Sequence, residues 1–485
     1  MSKNIYRSIA KGSAIFGGTQ IYNILTGIIR GKLVAMILGP EGMGITSLLN
    51  SAASTIQQFS SFGINLSIVR EISEKKDNKE QISIVIYTVR KLLKITALIG
   101  ALFTIIFSSY ISEITFGTNE YKWHFVFLSL MIFFTTLSNG ETSILQGFQA
   151  LKKLAFSSII GSTTGLLVGV PLYYIFGYDG IVPSMIILSL VTYIFYRYNT
   201  QKIINNSEIV YGWEQIKPLA KTILSLGIIM MTASLIGSLC NFTLNTFIRR
   251  YGGIYDVGYF QSANTITNQY IGVVFTAMGL DYFPRLSAVS SDNNKVKELA
   301  NNQSELVILA ITPMAIALIL FAPLIVKILL TEKFLSIIPI LRLFGLGVIF
   351  KAISYPLGYI SFSKGDRTSF FYLEGIFSNI FTLSLNCLFF YIYGIVGLGI
   401  SYAISYIIYC IIIVLFTKYK YNFKHNHKVG LIIIISILLV TFTLAASYLS
   451  DNIISIILMS IIFLISLIYS LLELNKRLSL FKKLM

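Results

Sequence analysis

The sequence predicts an all-α integral membrane protein of about 14 transmembrane helices: two pseudo-symmetric lobes of six, followed by two more helices. Composition is the first ground for this. Only 12% of the 485 residues are charged and 55% are hydrophobic, whereas soluble chains are about a quarter charged, so there is too little polar surface to face water on all sides. The apolar runs are the second ground. They are about 20 residues long and uninterrupted, which suits helices that satisfy their own backbone hydrogen bonds in lipid, not the roughly ten-residue alternating strands of a barrel.

Internal repetition is the third. Residues 39–70, GPEGMGITSLLNSAASTIQQFSSFGINLSIVR, return at 253–285 as GIYDVGYFQSANTITNQYIGVVFTAMGLDYFPR. Gly39 falls on Gly253, Gly44 on Gly258 and Asn50 on Asn264 at a shift of 214 residues, and Gly63 and Arg70 meet Gly279 and Arg285 within two residues of it. LQGFQALKKLAF (145–156) pairs with YISFSKGDRTSF (359–370), and Gly177–Ser184 echoes Gly394–Ser401 at a shift of 217. So long a period implies a duplicated half-molecule, not a solenoid, and an even number of helices per copy gives both copies one orientation in the membrane.

In chain order, Lys3, Arg7 and Lys11 precede a first apolar segment that holds Gln20, Asn23 and Arg30. No small-residue cleavage site follows a short apolar core, so this segment reads as an uncleaved helix. Spans near 43–64, 82–107, 124–147, 154–176 and 181–198 complete an N-terminal lobe over 1–200. A cytoplasmic linker at 201–217 leads to a C-terminal lobe over 218–418, with spans near 220–247, 258–280, 303–322, 336–362, 370–392 and 396–417. Spans near 429–448 and 453–472, with a cytoplasmic tail, fill 419–485. With the N-terminus inside, 29 of the 38 Lys and Arg fall on cytoplasmic segments or the cytoplasmic ends of spans, as the positive-inside rule requires. Both termini are then cytoplasmic. The net charge of +17 is answered by anionic headgroups, and no nucleic-acid partner is expected. Cys240, Cys387 and Cys410 lie inside spans, as packing residues and not a disulfide framework.

Polar residues recur at helical spacing within these spans. Thr19, Asn23, Thr26 and Arg30 share a face of the first helix; Ser234, Ser238, Asn241, Asn245 and Arg249 share one of the seventh. The second helix adds Asn50, Ser54, Gln57 and Ser61, and the eighth adds Gln261, Asn264 and Asn268. Polar groups at membrane depth are costly unless they face protein or water, so duplicated stripes point to a hydrated cavity; amides and hydroxyls suit sugars, and arginines suit phosphate. The competing reading has Ser, Thr and Asn holding helices together and Arg249 and Arg250 snorkelling. Glu141, Arg342, Lys351 and Glu374 are ionisable groups within spans that either pair with one another or serve substrate or ion coupling.

Other chemistry is missing. There is no GxxxxGK[ST] phosphate loop. His425 and His427 lie in a basic loop that reads as solvated, not as a metal site, and His124 beside Trp123 reads as an interfacial anchor. Glu71, Glu74, Asp77 and Glu80 interleave with lysines as solvated surface. No catalytic residue, cofactor or metal is expected.

LGPEGMGI (38–45) closing the first helix, GINLSIVREIS (63–73) ending the second, and LLTEKFLSIIPILRLFGLGVIFKAISYPLGYISFSKG (329–365) running through the tenth resemble the Wzx-type polysaccharide flippases. These are a branch of the multidrug/oligosaccharidyl-lipid/polysaccharide exporter superfamily, and the likeness covers most of the first twelve helices. It implies a V-shaped, MATE-like pair of lobes in the bacterial plasma membrane. These would move an undecaprenyl-pyrophosphate-linked oligosaccharide from the cytoplasmic to the outer leaflet by alternating access, for O-antigen or a related glycan. It also implies membrane lipids and polysaccharide polymerase machinery as partners, and no enzymatic step. Arg30, Arg249 and Arg342 match the need for a cationic cavity, with Asn23, Asn50, Gln57, Asn241, Asn245, Asn264 and Asn268 as further substrate contacts and Glu141 and Glu374 as coupling sites. The two last helices depart from twelve-helix relatives. A lipid II flippase fits the same features. A drug or cation exporter would want an acidic cavity, and a membrane polymerase would want a longer outer loop than 108–123 or 322–336.

Overall fold

The computed structural model describes residues 3–76, 78–204 and 211–478, which are helical apart from short turns. Asp77, part of the expected 201–217 linker and the tail after 478 lie outside the described residues. Among the described residues, eight helices are long and apolar enough to cross a membrane, or nine if the bent pair Glu80–Ile106 and Ser108–Phe116 forms one broken span. Three of the eight, Gly17–Ser60, Leu151–Gln201 and Phe371–Tyr421, run 44, 51 and 51 residues. At 1.5 Å per residue, each is at least about twice the thickness of a bilayer core.

The chain packs as two units, Met1–Arg250 and Tyr251–Met485. The first contains α1 (Lys3–Ser60), α2 (Ile64–Lys75), α3 (Lys79–Ile106), α4 (Ser108–Phe116), α5 (Lys122–Gly147), α6 (Leu151–Leu167), α7 (Gly169–Phe176), α8 (Ile181–Gln201) and α9 (Trp213–Gly252) up to Arg250. Here α5 lies against α2, α3 and α8, while α1 lies against α6. Ile64, Ile68 and Ile72 of α2 pack with Val85, Ile86 and Val89 of α3 in a buried cluster that also takes in Ala220 and Ile223. α9 begins at Trp213, ahead of the apolar run expected near 220, and that early turn buries Ile216.

The second unit contains α10 (Ile254–Thr265), α11 (Gly272–Ala288), α12 (Asn293–Leu320), α13 (Ala322–Leu329), α14 (Ile338–Ser363), α15 (Arg367–Phe370), α16 (Ser378–Tyr421), α17 (His427–Ala446) and α18 (Asn452–Leu478). Two π-helical turns interrupt it, Ile266–Ile271 and Phe371–Phe377. α14 lies between α12 and α16, and α17 and α18 both pack on α12. Arg477 of α18 pairs with Glu305 of α12.

The duplication seen in the sequence extends to how helices begin and end. α12 repeats the bounds of α3 at the same shift of 214 residues. Asn78 caps α3 by accepting from the amides of Glu80 and Gln81, and Asp292 caps α12 by accepting from Asn294 and Lys295. Those two amides hold the Asp292 carboxyl below its usual range. Both helices end on a phenylalanine of nearly equal dihedrals, Phe107 (φ −95°, ψ 12°) and Phe321 (φ −90°, ψ 11°), before the short helices α4 and α13. The glycines that break the long helices also pair. Gly39 (φ 65°, ψ −166°) matches Gly253 (φ 94°, ψ 177°), and Gly177 (φ 57°, ψ −128°) matches Gly394 (φ 58°, ψ −144°). Positive φ with extended ψ is a conformation a Cβ opposes, so the four positions need glycine.

Candidate functional site

In the first unit the polar stripe of α1 faces α6. The Asn23 amide donates to Ser158 (2.9 Å) and accepts from Ser162 (2.5 Å), and the Tyr22 hydroxyl lies 2.7 Å from that of Thr163. One end of this stripe therefore holds helices together. Arg30, at its other end, is half-buried, and its Nη2 donates to the Tyr173 hydroxyl at 3.3 Å, which in turn accepts from Ser184 at 2.6 Å. Among the described residues no carboxylate pairs with Arg30. Asn50 and Asn241 are exposed, and the Gln57 amide lies 3.6 Å from the Met131 sulfur. Asn245 is buried, with its side-chain oxygen unpartnered.

The other two arginines bind helix ends. Arg249 donates from Nε to the Thr115 carbonyl (3.0 Å) and from Nη2 to that of Ile114 (2.7 Å), at the C-terminus of α4. Arg342, in the second unit, donates to the Ser447 carbonyl at 3.0 Å, just past α17. A guanidinium at the last carbonyls of a helix meets groups that lack intrahelical partners and the negative end of the helix dipole.

Glu141 is buried and serves as a hub for α3, α5 and α8. Its Oε1 accepts from Arg197 Nη1 (2.9 Å) and Arg90 Nε (3.2 Å), and its Oε2 accepts from Arg90 Nη2 (3.4 Å) and from the Thr200 hydroxyl. Of the two readings for Glu141, Arg342, Lys351 and Glu374, pairing with one another is not what the described residues show: Glu141 pairs with Arg90 and Arg197, and Arg342 with a carbonyl. Arg90 of α3 and Arg197 of α8, both largely buried, supply the counter-charges. Glu71 is likewise buried, 2.7 Å from Lys75, not solvated. His124 lies 3.8 Å from Asp179 beside an apolar cavity of about 470 Å³ that includes Trp123 and Phe127. His425 is not solvated either: both ring nitrogens are buried without partners, and burial pushes the ring's pKa down to about 4.

The second unit holds a more open chemistry. Lys351, Ser354, Tyr355, Gly358, Tyr359 and Phe362 recur at steps of three and one along α14, so they share one face, and they line a cavity of about 380 Å³. Glu374 of the second π-helical turn and Tyr406 and Tyr409 of α16 complete its wall. Lys351 Nζ donates to Asn268 Oδ1 at 3.4 Å and lies 5.4 Å from the ring centroids of both Phe275 and Tyr406. Asn268, on the first π-helical turn, also donates to Asn264. Glu374 accepts from the Tyr409 hydroxyl; a Cβ on Gly358 would stand 2.7 Å from its Oε1, so glycine is what admits the carboxylate. Single π-helical turns within α-helices are frequent at functional sites, and these two carry Asn268 and Glu374. The turn after α14 is tied down nearby: Lys420 and Tyr421 contact Asp366 at 2.5 and 2.6 Å and hold its carboxyl well below the usual range.

Lys351 and Glu374 stood out in the sequence, but the rings around them did not. The spacing 351, 355, 359, 362 carried that signal. Among the described residues, no three His, Cys, Asp or Glu side chains gather as metal ligands.

Comparison with known proteins agrees with this architecture. The chain is 21% identical over 410 residues to the lipid III flippase of Escherichia coli (strain K12), covering 83% of this chain and 96% of that one. In fold it is similar to the lipid II flippase MurJ in an inward closed conformation, at a TM-score of 0.76 and 17% identity over 96% of this chain and 99% of the other. It is also similar to an inward-facing multidrug resistance MATE family transporter of the MOP superfamily, at a TM-score of 0.67 and 19% identity over 83% and 94%. The family model described as polysaccharide biosynthesis protein matches residues 33–339, more than half of the sequence, and the chain belongs to that family.

Proposed function

We propose that this protein is a flippase for an undecaprenyl-pyrophosphate-linked oligosaccharide, carrying the repeat unit of a surface glycan to the outer leaflet of a bacterial plasma membrane. The head group crosses lipid slowly because its charges and hydroxyls must be desolvated, and polar side chains within the membrane replace that hydration while the prenyl tail stays in the bilayer. No covalent step is required, and the protein is not an enzyme on this reading. The observation that carries it is the aromatic cavity of the second unit, with Lys351 and Glu374 on its wall, in a chain that aligns over 83% of its length with a lipid III flippase.

The topology belongs to the same proposal. Dividing the three longest helices at Gly39, Gly177 and Gly394, and adding α3, α9 and the α10–α11 pair to the eight, gives 14 crossings; an even number leaves both termini on one side, which the distribution of Lys and Arg assigns to the cytoplasm. Two six-helix lobes over 1–200 and 218–418 would then alternate in access, with α17 and α18 beyond them. Arg30 and the asparagines of the stripes would contact the head group, and Glu374 would serve coupling. Arg249, Arg342 and Glu141 would act on the site through the helices they tie. Polymerase machinery would take the translocated unit.

Deletion tests this reading. Complete undecaprenyl-linked units should accumulate while surface glycan falls. Intact glycan together with new sensitivity to cationic drugs would move the protein to the exporter branch, and truncated lipid-linked units would move it to assembly.

A further inference from the structure

The cavity against α14 has a composition that selects among sugars. Tyr355, Tyr359 and Phe362 stand at steps of four and three on one helix face, with Tyr406 and Tyr409 on the wall that α16 supplies. Rings of this kind take the C–H face of a pyranose, and a volume of about 380 Å³ lies within the roughly 300–1,000 Å³ range of small-molecule sites. Two opposite charges border the same space without pairing. Among the described residues, the partners of the Lys351 ammonium are a neutral amide oxygen and two ring faces. The Glu374 carboxylate has one, the Tyr409 hydroxyl.

An ammonium in partly desolvated surroundings is costly unless a counter-charge joins it, and the nearest carboxylate on this wall is engaged elsewhere. We propose that the cavity is a saccharide subsite for a pyranose that carries an anionic group. The ring lies on the tyrosines, the anion meets Lys351, and Glu374 accepts from sugar hydroxyls. This rests on the flippase reading and narrows its cargo to glycans with a negative charge on a sugar. The anion has two possible sources, the carboxylate of an acidic sugar or a phosphoryl group attached to the ring. Asn268 positions the lysine; it does not read the sugar.

The test uses the full chain, purified into nanodiscs, with free probes followed by saturation-transfer NMR at low salt. The probes are a methyl galactoside, the matching methyl galacturonoside and galactose 1-phosphate, repeated in the gluco series. At least one acidic probe should bind about tenfold more tightly than its neutral counterpart, the size of one charge-assisted hydrogen bond. In Lys351→Met that preference should vanish, while the neutral probe binds unchanged; Lys351→Arg should keep most of it. Tyr359→Ala should weaken acidic and neutral probes alike.

A preference for the uronoside assigns the anion to an acidic sugar, and a preference for the phosphate assigns it to a phosphoryl group. Equal binding of neutral and acidic probes, or a preference that survives Lys351→Met, overturns the proposal. If Lys351→Met does not fold, the wild-type contrast and its loss with rising salt decide alone. A negative result leaves the flippase reading standing, because that reading is judged on lipid-linked intermediates and not on this binding.

Discussion

Glu141 places one negative charge between two guanidinium groups, and all three side chains are largely buried. Removing the carboxylate leaves two buried cations facing each other, so Glu141→Ala should cost on the order of 3–5 kcal/mol, read as a lower apparent melting temperature in detergent. Replacing all three together, Arg90→Met, Glu141→Leu and Arg197→Met, should recover most of that loss; no recovery would mean the hub does more than balance charge. His425 acts through protonation. Its ring is held neutral to about pH 4 in the folded chain against an ordinary value of about 6.5, so this contribution is complete above pH 6.5 and declines as the pH falls towards 4. Thermal unfolding at pH 7.5 and 5 should show a drop in stability that His425→Phe largely removes. Arg30 is the opposite case: its one described partner is a tyrosine hydroxyl, so Arg30→Ala should fold normally yet lose surface glycan. Unchanged glycan would count against a role in the cavity. Such pairings were hard to read in the sequence. Glu141, Arg90 and Arg197 lie 51 and 56 residues apart, and only the packing of α3 and α8 on α5 brings them together.

Most of the helices were legible, because each long apolar run had to satisfy its backbone within itself. Their ends were less so. Polar residues extend α9 back to Trp213, and the π-helical turns at Ile266–Ile271 and Phe371–Phe377 leave no mark in the apolar pattern. The glycines did mark their breaks. Gly39 and Gly394 hold a backbone conformation that opposes a Cβ, so Gly39→Ala and Gly394→Ala should each cost about 1–3 kcal/mol, measured as lost thermal stability. Glycine to alanine at Gly430, which is helical and has open space around it, is the control and should change little. Equal effects at all three would show that the breaks are not what these glycines supply. The matched caps offer a second check: Asn78→Ala and Asp292→Ala should each cost about 1 kcal/mol, since each side chain serves two otherwise unpaired amides.

At the scale of the whole molecule, the long repeat was the most informative feature of the sequence, and the structure repeats it in helix bounds, caps and glycine dihedrals. The aromatic cavity was less legible because its rings come from two helices and its carboxylate from a turn between them. The polar stripes of α1 and α9 named residues that divide between helix contacts, exposed positions and, at Asn245, a buried oxygen without a partner, since a polar residue at membrane depth serves more than one purpose. Translocation is the central claim, and sidedness tests it most directly. Lipid-linked oligosaccharide in intact spheroplasts can be oxidised with membrane-impermeant periodate before and after depletion of this protein. The expected result is that the oxidised fraction falls steeply on depletion while total lipid-linked oligosaccharide rises. An oxidised fraction that stays at its initial level would show that the units reach the outer leaflet without this protein, contradicting a flippase.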